Sequence, residues 1–272
     1  MLKARLISAA ILAPLLVFAV LRLDTQYFAV ILAVILCAAS WEWSRLVSLE
    51  SVTLRVPYTA AVGLLLWLLW QVTPERILFP LLAVACTWWL FALFWLTRPQ
   101  LCSMRSAGCT VLKLCAGLLV MLPPWAGLVA LHRHGEQGPE LTLVLLVMVW
   151  LADSGAYFAG RRFGRHKLAP VISPGKTREG VYGGLLASLL FAAAAGWWLS
   201  HSAPWTAAFC MVALLAILFS VAGDLLESLM KRQSGSKDSG SIIPGHGGIF
   251  DRIDSLVAAV PVFLGGFLWL GL

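Results

Sequence analysis

Nine long apolar stretches divide this 272-residue chain, and they constrain its fold more than any other feature. They lie at about 6–22, 27–44, 57–73, 77–97, 112–131, 141–160, 181–199, 205–228 and 255–271. Their lengths approach the roughly 20 residues with which an apolar helix spans a bilayer core. Membrane barrel strands would instead show alternating segments of about 10 residues. The sequence therefore predicts an all-α, polytopic membrane protein with about nine transmembrane helices.

Composition agrees with a membrane location. Hydrophobic residues make up 60% of the chain and charged residues 12%, and there are 13 tryptophans. The six cysteines show no metal-ligand spacing, so neither a disulfide framework nor a zinc site is expected. The net charge of +7 comes from basic residues in the loops between apolar stretches. Topology and an anionic lipid or nucleotide explain that charge better than nucleic acid does, so no nucleic-acid partner is expected.

The distribution of lysine and arginine predicts the orientation of the chain. With the N-terminus inside, 17 of the 20 basic residues fall on the inner side of the nine-helix arrangement. Short cytoplasmic loops carry this excess in membrane proteins. We therefore expect a cytoplasmic N-terminus and, because the number of spans is odd, an outer C-terminus. The first stretch follows Lys3 and Arg5 without a clean cleavage pattern, which favours a retained helix over a signal peptide.

Two hydrophilic loops on the inner side are long enough to carry chemistry, at 161–180 and 229–254. Both belong to the segment 111–272, which we interpret as the catalytic region. The segment 1–110 is interpreted as N-terminal transmembrane helices. Charges beside a membrane, separated by glycines, indicate a site for a polyanion with metal ligands.

Acidic residues within apolar stretches are informative, because ionisable groups are costly there. Asp153 has Tyr157 one turn later on the same face, and small residues nearby would let another helix approach closely. We favour an Asp153 that faces the site, because its helix runs into the most basic loop; a structural polar clasp is the alternative. Glu42, in WEWSR, is interpreted as an interfacial anchor that pairs with Arg45.

The loop 161–180 carries six positive charges within 18 residues and ends in SPGKTREG. It is not a P-loop, because position 170 is proline instead of glycine and no strand is expected before GKT. We expect a turn at Ser173-Pro174, and a cap by Ser173 or Thr177 on the next helix, whose N–H groups favour an anion. A loop that serves topology and lipid headgroups is the alternative. The candidate binding residues here are Ser173, Lys176, Thr177, Arg178 and Glu179.

A polar stripe ends the eighth apolar stretch. At 100° per residue, Glu227, Ser228 and Lys231 fall within about 60° of Asp224. Buried carboxylates need a paired cation or a metal, and oxygen ligands favour Mg²⁺. A salt-bridge network in a transporter is the alternative. The following stretch adds Lys237, Asp238, His246, Asp251 and Asp254.

His246 lies among glycines, which suggests close approach of the backbone to an anion. A metal ligand and an acid–base group are alternatives for His246, but phosphate contact is preferred.

A spaced pattern of residues runs through both charged segments. Its later part reads Ser228-Leu-Met-Lys231-Arg232, then Lys237-Asp238, Gly240 and the run IPGHGGIFDRID from Ile243 to Asp254. This pattern resembles the signature of the phosphatidate cytidylyltransferases (CDP-diacylglycerol synthases). The stretch from Asp153 to Gly180 is also similar to that family, although relatives often have a second lysine where this chain has Gly175. The helices before residue 153 match in hydropathy alone.

The resemblance implies a nucleotidyltransferase that transfers CMP from CTP to phosphatidic acid, giving CDP-diacylglycerol and pyrophosphate in phospholipid biosynthesis. It implies a multi-pass protein of the bacterial inner membrane, with a cytoplasmic active site and a homodimeric assembly. Asp224 and Asp251 match aspartates that bind a divalent metal, expected to be Mg²⁺. Asp254 would orient the arrangement or bind a second cation. The expected catalytic residues are Asp224, Lys237, Asp238, Asp251 and Asp254.

The lipid phosphate is already ionised at neutral pH, so the main task is to bring two anions together and stabilise the leaving pyrophosphate. The expected substrate-binding residues are Asp153, Ser173, Lys176, Thr177, Arg178, Glu179, Ser228, Lys231, Arg232, His246 and Arg252. A CDP-alcohol phosphotransferase would need a DGxxAR…GxxxD pattern, which the chain lacks. A membrane transporter with an intramembrane carboxylate ion site, at Asp153 and Asp224, is the remaining alternative.

Substitution of Arg178 by alanine tests the role of the basic loop. Because Arg178 is expected to bind an anionic substrate, Arg178→Ala should mainly raise the apparent KM for that substrate in a steady-state assay. A loss confined to kcat would argue against a binding role.

Overall fold

The structure, a computed structural model, describes residues 13–47, 49, 51–72, 74–104, 106–240 and 247–272, without the side chains of 74–76. These ranges contain nine α-helices, two short strands and a 3-10 helix at Phe250–Arg252. In chain order they are α1 (Ala13–Arg22), α2 (Thr25–Leu46), α3 (Val52–Gln71), α4 (Pro74–Thr97), α5 (Ala107–His132), α6 (Gly138–Phe163), β1 (Lys167–Ala169), β2 (Ser173–Thr177), α7 (Arg178–Ser200), α8 (Ala203–Ser234) and α9 (Asp254–Trp269).

Seven of these helices, α2 to α8, are long and apolar enough to cross a membrane. The described part of α1 and the helix α9 are shorter and also apolar. Each predicted stretch overlaps one helix, so the prediction of a helical, polytopic membrane protein is confirmed. The beginning of the first predicted stretch lies outside the described residues.

Several helices extend beyond their predicted bounds. α3 begins at Val52 instead of 57, because the Ser51 hydroxyl accepts a hydrogen bond from the Thr53 N–H and caps the helix. α5 begins at Ala107 instead of 112 and continues through Pro123 and Pro124. Both prolines are buried, and packing against neighbouring helices makes such residues tolerable in a membrane helix.

The basic loop between α6 and α7 contains a β-hairpin. β1 and β2 pair antiparallel, with Lys167 opposite Thr177 and Ala169 opposite Ser173. The predicted turn at Ser173-Pro174 was therefore wrong, and so was the expectation that no strand precedes GKT. The turn lies at 170–172, where a proline at position 170 restricts the backbone. The predicted cap is confirmed for Thr177, whose hydroxyl accepts a hydrogen bond from the Gly180 N–H at 3.1 Å.

Helices α6 and α7 pack closely through small residues, as expected for the segment that follows Asp153. A methyl group added at Gly184 would lie 2.5 Å from the Ala152 carbonyl oxygen. One added at Gly155 would lie 2.8 Å from the Gly183 carbonyl oxygen. Small residues let helix backbones approach in this way inside membranes. The close contact places the end of α6 beside the hairpin and the start of α7.

Helix α8 places the charged stripe beyond the apolar part of the bundle. It has 32 residues, which at 1.5 Å per residue correspond to about 48 Å, against about 30 Å for a bilayer core. It ends at Gly235, whose φ of 73° is the left-handed conformation that glycine adopts readily. Because α8 packs against both α7 and α9, its polar last turns face the hairpin and the start of α9.

Substitution of Gly184 by alanine tests the α6–α7 contact. The added methyl group would overlap the Ala152 carbonyl, so we expect a loss of about 1–3 kcal/mol and a lower thermal midpoint in detergent. Gly108→Ala in α5 is the matched control, because a methyl group there meets no atom within 4 Å. Equal midpoints for the two variants would contradict the packing argument.

Candidate functional site

A cavity of about 430 Å³ lies where α6, the hairpin, α7 and α8 meet. Asp153 and Tyr157 line it from α6, Lys176 and Thr177 from β2, and Asp224 from α8. The structure thus brings together residues from both charged segments of the sequence. The volume falls in the range of small-molecule and cofactor sites.

Lys176 and Asp224 form an ion pair within this cavity. Their side chains are 24% and 30% exposed, so both remain accessible to a ligand. The residue expected to bind phosphate and the residue expected to bind metal are therefore each other's partner in this structure. Each neutralises a charge that would otherwise be costly beside a membrane.

Three carboxylates converge around Asp224, which also lines the cavity. Oxygen atoms of Asp224, Glu227 and Asp254 all lie within 4.8 Å of one another, a spacing that suits a shared cation. Glu227 is 1% exposed and Asp254 is 9% exposed. Glu227 Oε1 has no hydrogen-bond partner among the described residues. Gly223 allows this arrangement, since a methyl group there would overlap the Asp254 carbonyl oxygen.

Lys231 joins this acidic cluster to Asp251. Its Nζ lies 2.8 Å from Glu227 Oε2 and 2.8 Å from Asp251 Oδ1. Burial alone would raise the pKa of Asp251, but hydrogen bonds with Glu227 and Lys231 outweigh burial and lower that pKa to about 2. Asp251 is therefore a carboxylate at neutral pH.

The second oxygen of Asp251 is held by the loop around it. Asp251 Oδ2 accepts hydrogen bonds from the Ser239 hydroxyl at 2.9 Å, the Ser239 N–H at 3.2 Å and the Gly248 N–H at 2.8 Å. Among the described residues, the acidic cluster consists of Asp224, Glu227 and Asp254 and does not include Asp251. The prediction of Asp251 as a metal ligand stays a prediction. Glu227 was on the predicted stripe, three residues after Asp224, but was not among the expected ligands.

Several of the other predicted residues lie in the hairpin and at the start of α7. Glu179 accepts hydrogen bonds from the N–H groups of Arg165 and His166, and its Oε1 lies 2.6 Å from His166 Nδ1. These hydrogen bonds connect the start of α7 to the loop before β1, so Glu179 stabilises that loop. Ser173 is half-buried in β2, and Arg178 is exposed at the start of α7. Neither lines the cavity.

The remaining predicted residues surround the end of α8. Arg232 donates from Nε to the Ile172 carbonyl at 3.2 Å and so ties α8 to the hairpin turn. Ser228 is half-buried and does not line the cavity. Exposed side chains in this part of the structure include Lys237, Asp238 and Arg252. His246 lies outside the described residues.

Glu42 is a site-related residue that the sequence analysis assigned differently. It is 2% exposed, and its carboxylate accepts hydrogen bonds from the Ile249 N–H at 3.0 Å, the Phe250 N–H at 2.8 Å and the Ser239 hydroxyl at 3.0 Å. The expected pairing with Arg45 was wrong, because Glu42 points inward and Arg45 is exposed. The signal that singled out Asp153, an acid within an apolar stretch, applied equally to Glu42.

Comparison with known proteins agrees with this site. Residues 3–267 match the cytidylyltransferase family. The chain belongs to that family. It is 42% identical to a phosphatidate cytidylyltransferase of Pseudomonas aeruginosa over 270 residues, which cover 99% of this chain and 97% of that protein. A phosphatidate cytidylyltransferase of Haemophilus influenzae is 37% identical over 286 aligned positions, covering 97% of each.

A third relative matches about half of the chain. A phosphatidate cytidylyltransferase of Staphylococcus epidermidis is 42% identical over 137 residues, which are 50% of this chain and 52% of that protein. A cytidylyltransferase must bring anionic substrates together, and the cationic side chains of Arg161 and Lys176 line the cavity. The transporter alternative is not supported by these matches.

Replacement of Lys231 by methionine tests the bridge between Glu227 and Asp251. It would leave two buried carboxylates without their cation, so we expect a loss of about 3–5 kcal/mol and a clearly lower thermal midpoint. Lys167→Met is the matched control, because Lys167 is exposed on β1 and has no such partner among the ion pairs of the described residues. An unchanged midpoint for Lys231→Met would show that the bridge does not stabilise the fold.

Proposed function

We propose that this protein is a phosphatidate cytidylyltransferase, which transfers CMP from CTP to phosphatidic acid in phospholipid biosynthesis. The observation that carries the proposal is the similarity along nearly the whole chain to proteins with that name. The cavity supports it, because Asp153, Lys176 and Asp224 meet there at the ends of apolar helices. A two-chain lipid would stay in the bilayer while its headgroup meets soluble CTP.

The reaction joins one phosphate to another. A phosphate oxygen of phosphatidic acid forms a bond to the α-phosphorus of CTP, and the bond from that phosphorus to the β-phosphate oxygen breaks. Pyrophosphate leaves with the electron pair of that bond. Because the attacking phosphate is ionised at neutral pH, the protein needs no strong general base and acts by positioning and charge stabilisation.

Mg²⁺ is the proposed cofactor, and the residues at the site fit it. Oxygen atoms of Asp224, Glu227 and Asp254 converge, and the buried Glu227 Oε1 has no hydrogen-bond partner among the described residues. Asp224 and Asp251 are the proposed ligands, and Glu227 and Asp254 are the carboxylates that lie beside Asp224. A bound Mg²⁺ supplies positive charge where charge develops on the leaving pyrophosphate.

Lys176 has two partners in this proposal. In the structure it pairs with Asp224. A cation that neutralises Asp224 would release the Lys176 ammonium to bind a substrate phosphate, as the sequence analysis expected. Lys231 stays between Glu227 and Asp251, where it keeps the Asp251 carboxylate in place. Lys237, Arg232 and Arg252 are the further proposed phosphate contacts.

The proposed location is the bacterial inner membrane, with nine spans and a cytoplasmic N-terminus. The inner-side excess of lysine and arginine supports this orientation. Both charged segments then lie on the cytoplasmic side, where CTP is available. A homodimer is proposed from the family resemblance.

Label transfer from CTP to lipid tests the function. Detergent-purified protein with phosphatidic acid, Mg²⁺ and radiolabelled CTP should produce chloroform-soluble label, and a chelator should stop it. Asp251→Asn should abolish the transfer while the protein inserts and purifies normally. Asp24→Asn is the matched control, because Asp24 is exposed before α2 and makes no capping hydrogen bond.

Two results would overturn these assignments separately. Absence of label with every divalent metal tried would overturn the proposed function. Near-normal turnover by Asp251→Asn, in a protein that transfers label, would overturn the role of Asp251 alone.

A further inference from the structure

We propose that Glu42, on the second helix, is a positioning residue that holds the turn 247–251 so that the Asp251 carboxylate faces the site. This inference deepens the proposed function and rests on it, because it assumes that Asp251 takes part in the reaction. It gives the N-terminal helices a role in the chemistry, whereas the motifs of the resemblance lie after residue 153.

The turn donates its backbone N–H groups to two protein carboxylates. The N–H groups of Ile249 and Phe250 point to Glu42, and the N–H of Gly248 points to Asp251. Successive N–H groups that point to one side form a typical anion-binding concavity. In this structure the anions are side chains of the protein itself. These three N–H groups are therefore used for positioning and are not free for a substrate phosphate.

Ser239 links Glu42 directly to Asp251. Its hydroxyl lies 3.0 Å from Glu42 Oε2 and 2.9 Å from Asp251 Oδ2. A hydroxyl has one proton to donate, so the two carboxylates share a single donor. Ser239 is fully buried, and water cannot easily replace it there. A change at Glu42 is thus transmitted to Asp251 through one side chain and through the turn.

Glycines make room for the Glu42 carboxylate. A methyl group at Gly240 would overlap this carboxylate, and one at Gly248 would overlap both the carboxylate and the Ser239 hydroxyl. From the sequence, the glycines around His246 were expected to let the backbone approach a phosphate. For Gly240 and Gly248 the anion that the backbone approaches is Glu42.

Packing holds Glu42 in this position. The neighbouring Trp43 is fully buried, and its ring meets the Phe250 ring edge-on at 5.3 Å between centroids. Trp43 also donates from Nε1 to the Lys113 carbonyl at 2.9 Å. Helix α2 is therefore anchored to α5 on one side and to the turn on the other. Neither Glu42 nor Asp251 lines the cavity, but Asp251 is joined to the cavity residue Asp224 through Lys231 and Glu227, so Glu42 acts through Asp251 and not on the substrate.

The test compares kcat and the Mg²⁺ concentration that gives half the maximal rate. Glu42→Gln has nearly the same shape, but its amide would direct a donor at backbone or hydroxyl donors. We expect kcat to fall about 10–100-fold and the half-saturating Mg²⁺ concentration to rise about 10-fold, as when groups behind metal ligands are changed. A loss of folded protein would lower the rate but leave the half-saturating concentration unchanged.

A matched control and a double variant complete the test. Ser44→Ala changes a fully buried residue of the same helix whose hydroxyl bonds locally to the Trp41 carbonyl, and it should leave both quantities unchanged. Ser239→Ala should change both quantities in the same direction as Glu42→Gln. Because Glu42 acts partly through Ser239, the loss in the double variant should be smaller than the product of the two single losses.

Three results would overturn the proposal. One is an unchanged kcat and Mg²⁺ requirement in Glu42→Gln, when the wild type is active and Asp251→Asn is not. Another is a double variant whose loss is the product of the two single losses. If Glu42→Gln does not fold, Ser239→Ala decides, and normal values for that variant would overturn the proposal. An inactive wild type would instead overturn the proposed function.

Discussion

The contact of Lys231 with Glu227 and Asp251 joins the acidic cluster on α8 to the turn before α9, and the rest of the site depends on it. Carboxylates buried at the end of a membrane helix are costly unless a cation or several donors satisfy them. Lys231 satisfies two of them and thereby joins α8 to the turn before α9. Lys176 does the same for Asp224 and joins α8 to the hairpin. The site is thus held together by the same charges that the proposed chemistry uses.

Small residues allow these charges to meet. Close packing of α6 against α7 at Gly155 and Gly184 brings Asp153 beside the hairpin. Gly223 lets the start of α9 touch α8, which places Asp254 next to the acidic cluster. Gly240 and Gly248 leave space for Glu42. Each glycine stands where a backbone or a carboxylate approaches, so packing and charge placement depend on one another.

Part of the site could be predicted because its signals are local. Acids within apolar stretches and a stripe on one helix face identified Asp153 and Asp224, which the structure places around one cavity. The hairpin at 167–177 was missed, since its strands are short and paired by tertiary context that periodicity does not report. Glu42 was misassigned because its partners are about 200 residues away in the sequence.

By itself, the sequence determined the membrane class, the helical spans, the family and the residues that carry charge. These follow from hydropathy and spacing, which are properties of neighbouring residues. Only the tertiary structure decided which charges become partners: Lys176 with Asp224, Glu227 with Asp254, and Glu42 with the turn before Asp251. Pairing depends on distances of a few ångströms between side chains on different helices. Helix packing sets those distances, and no local pattern contains them.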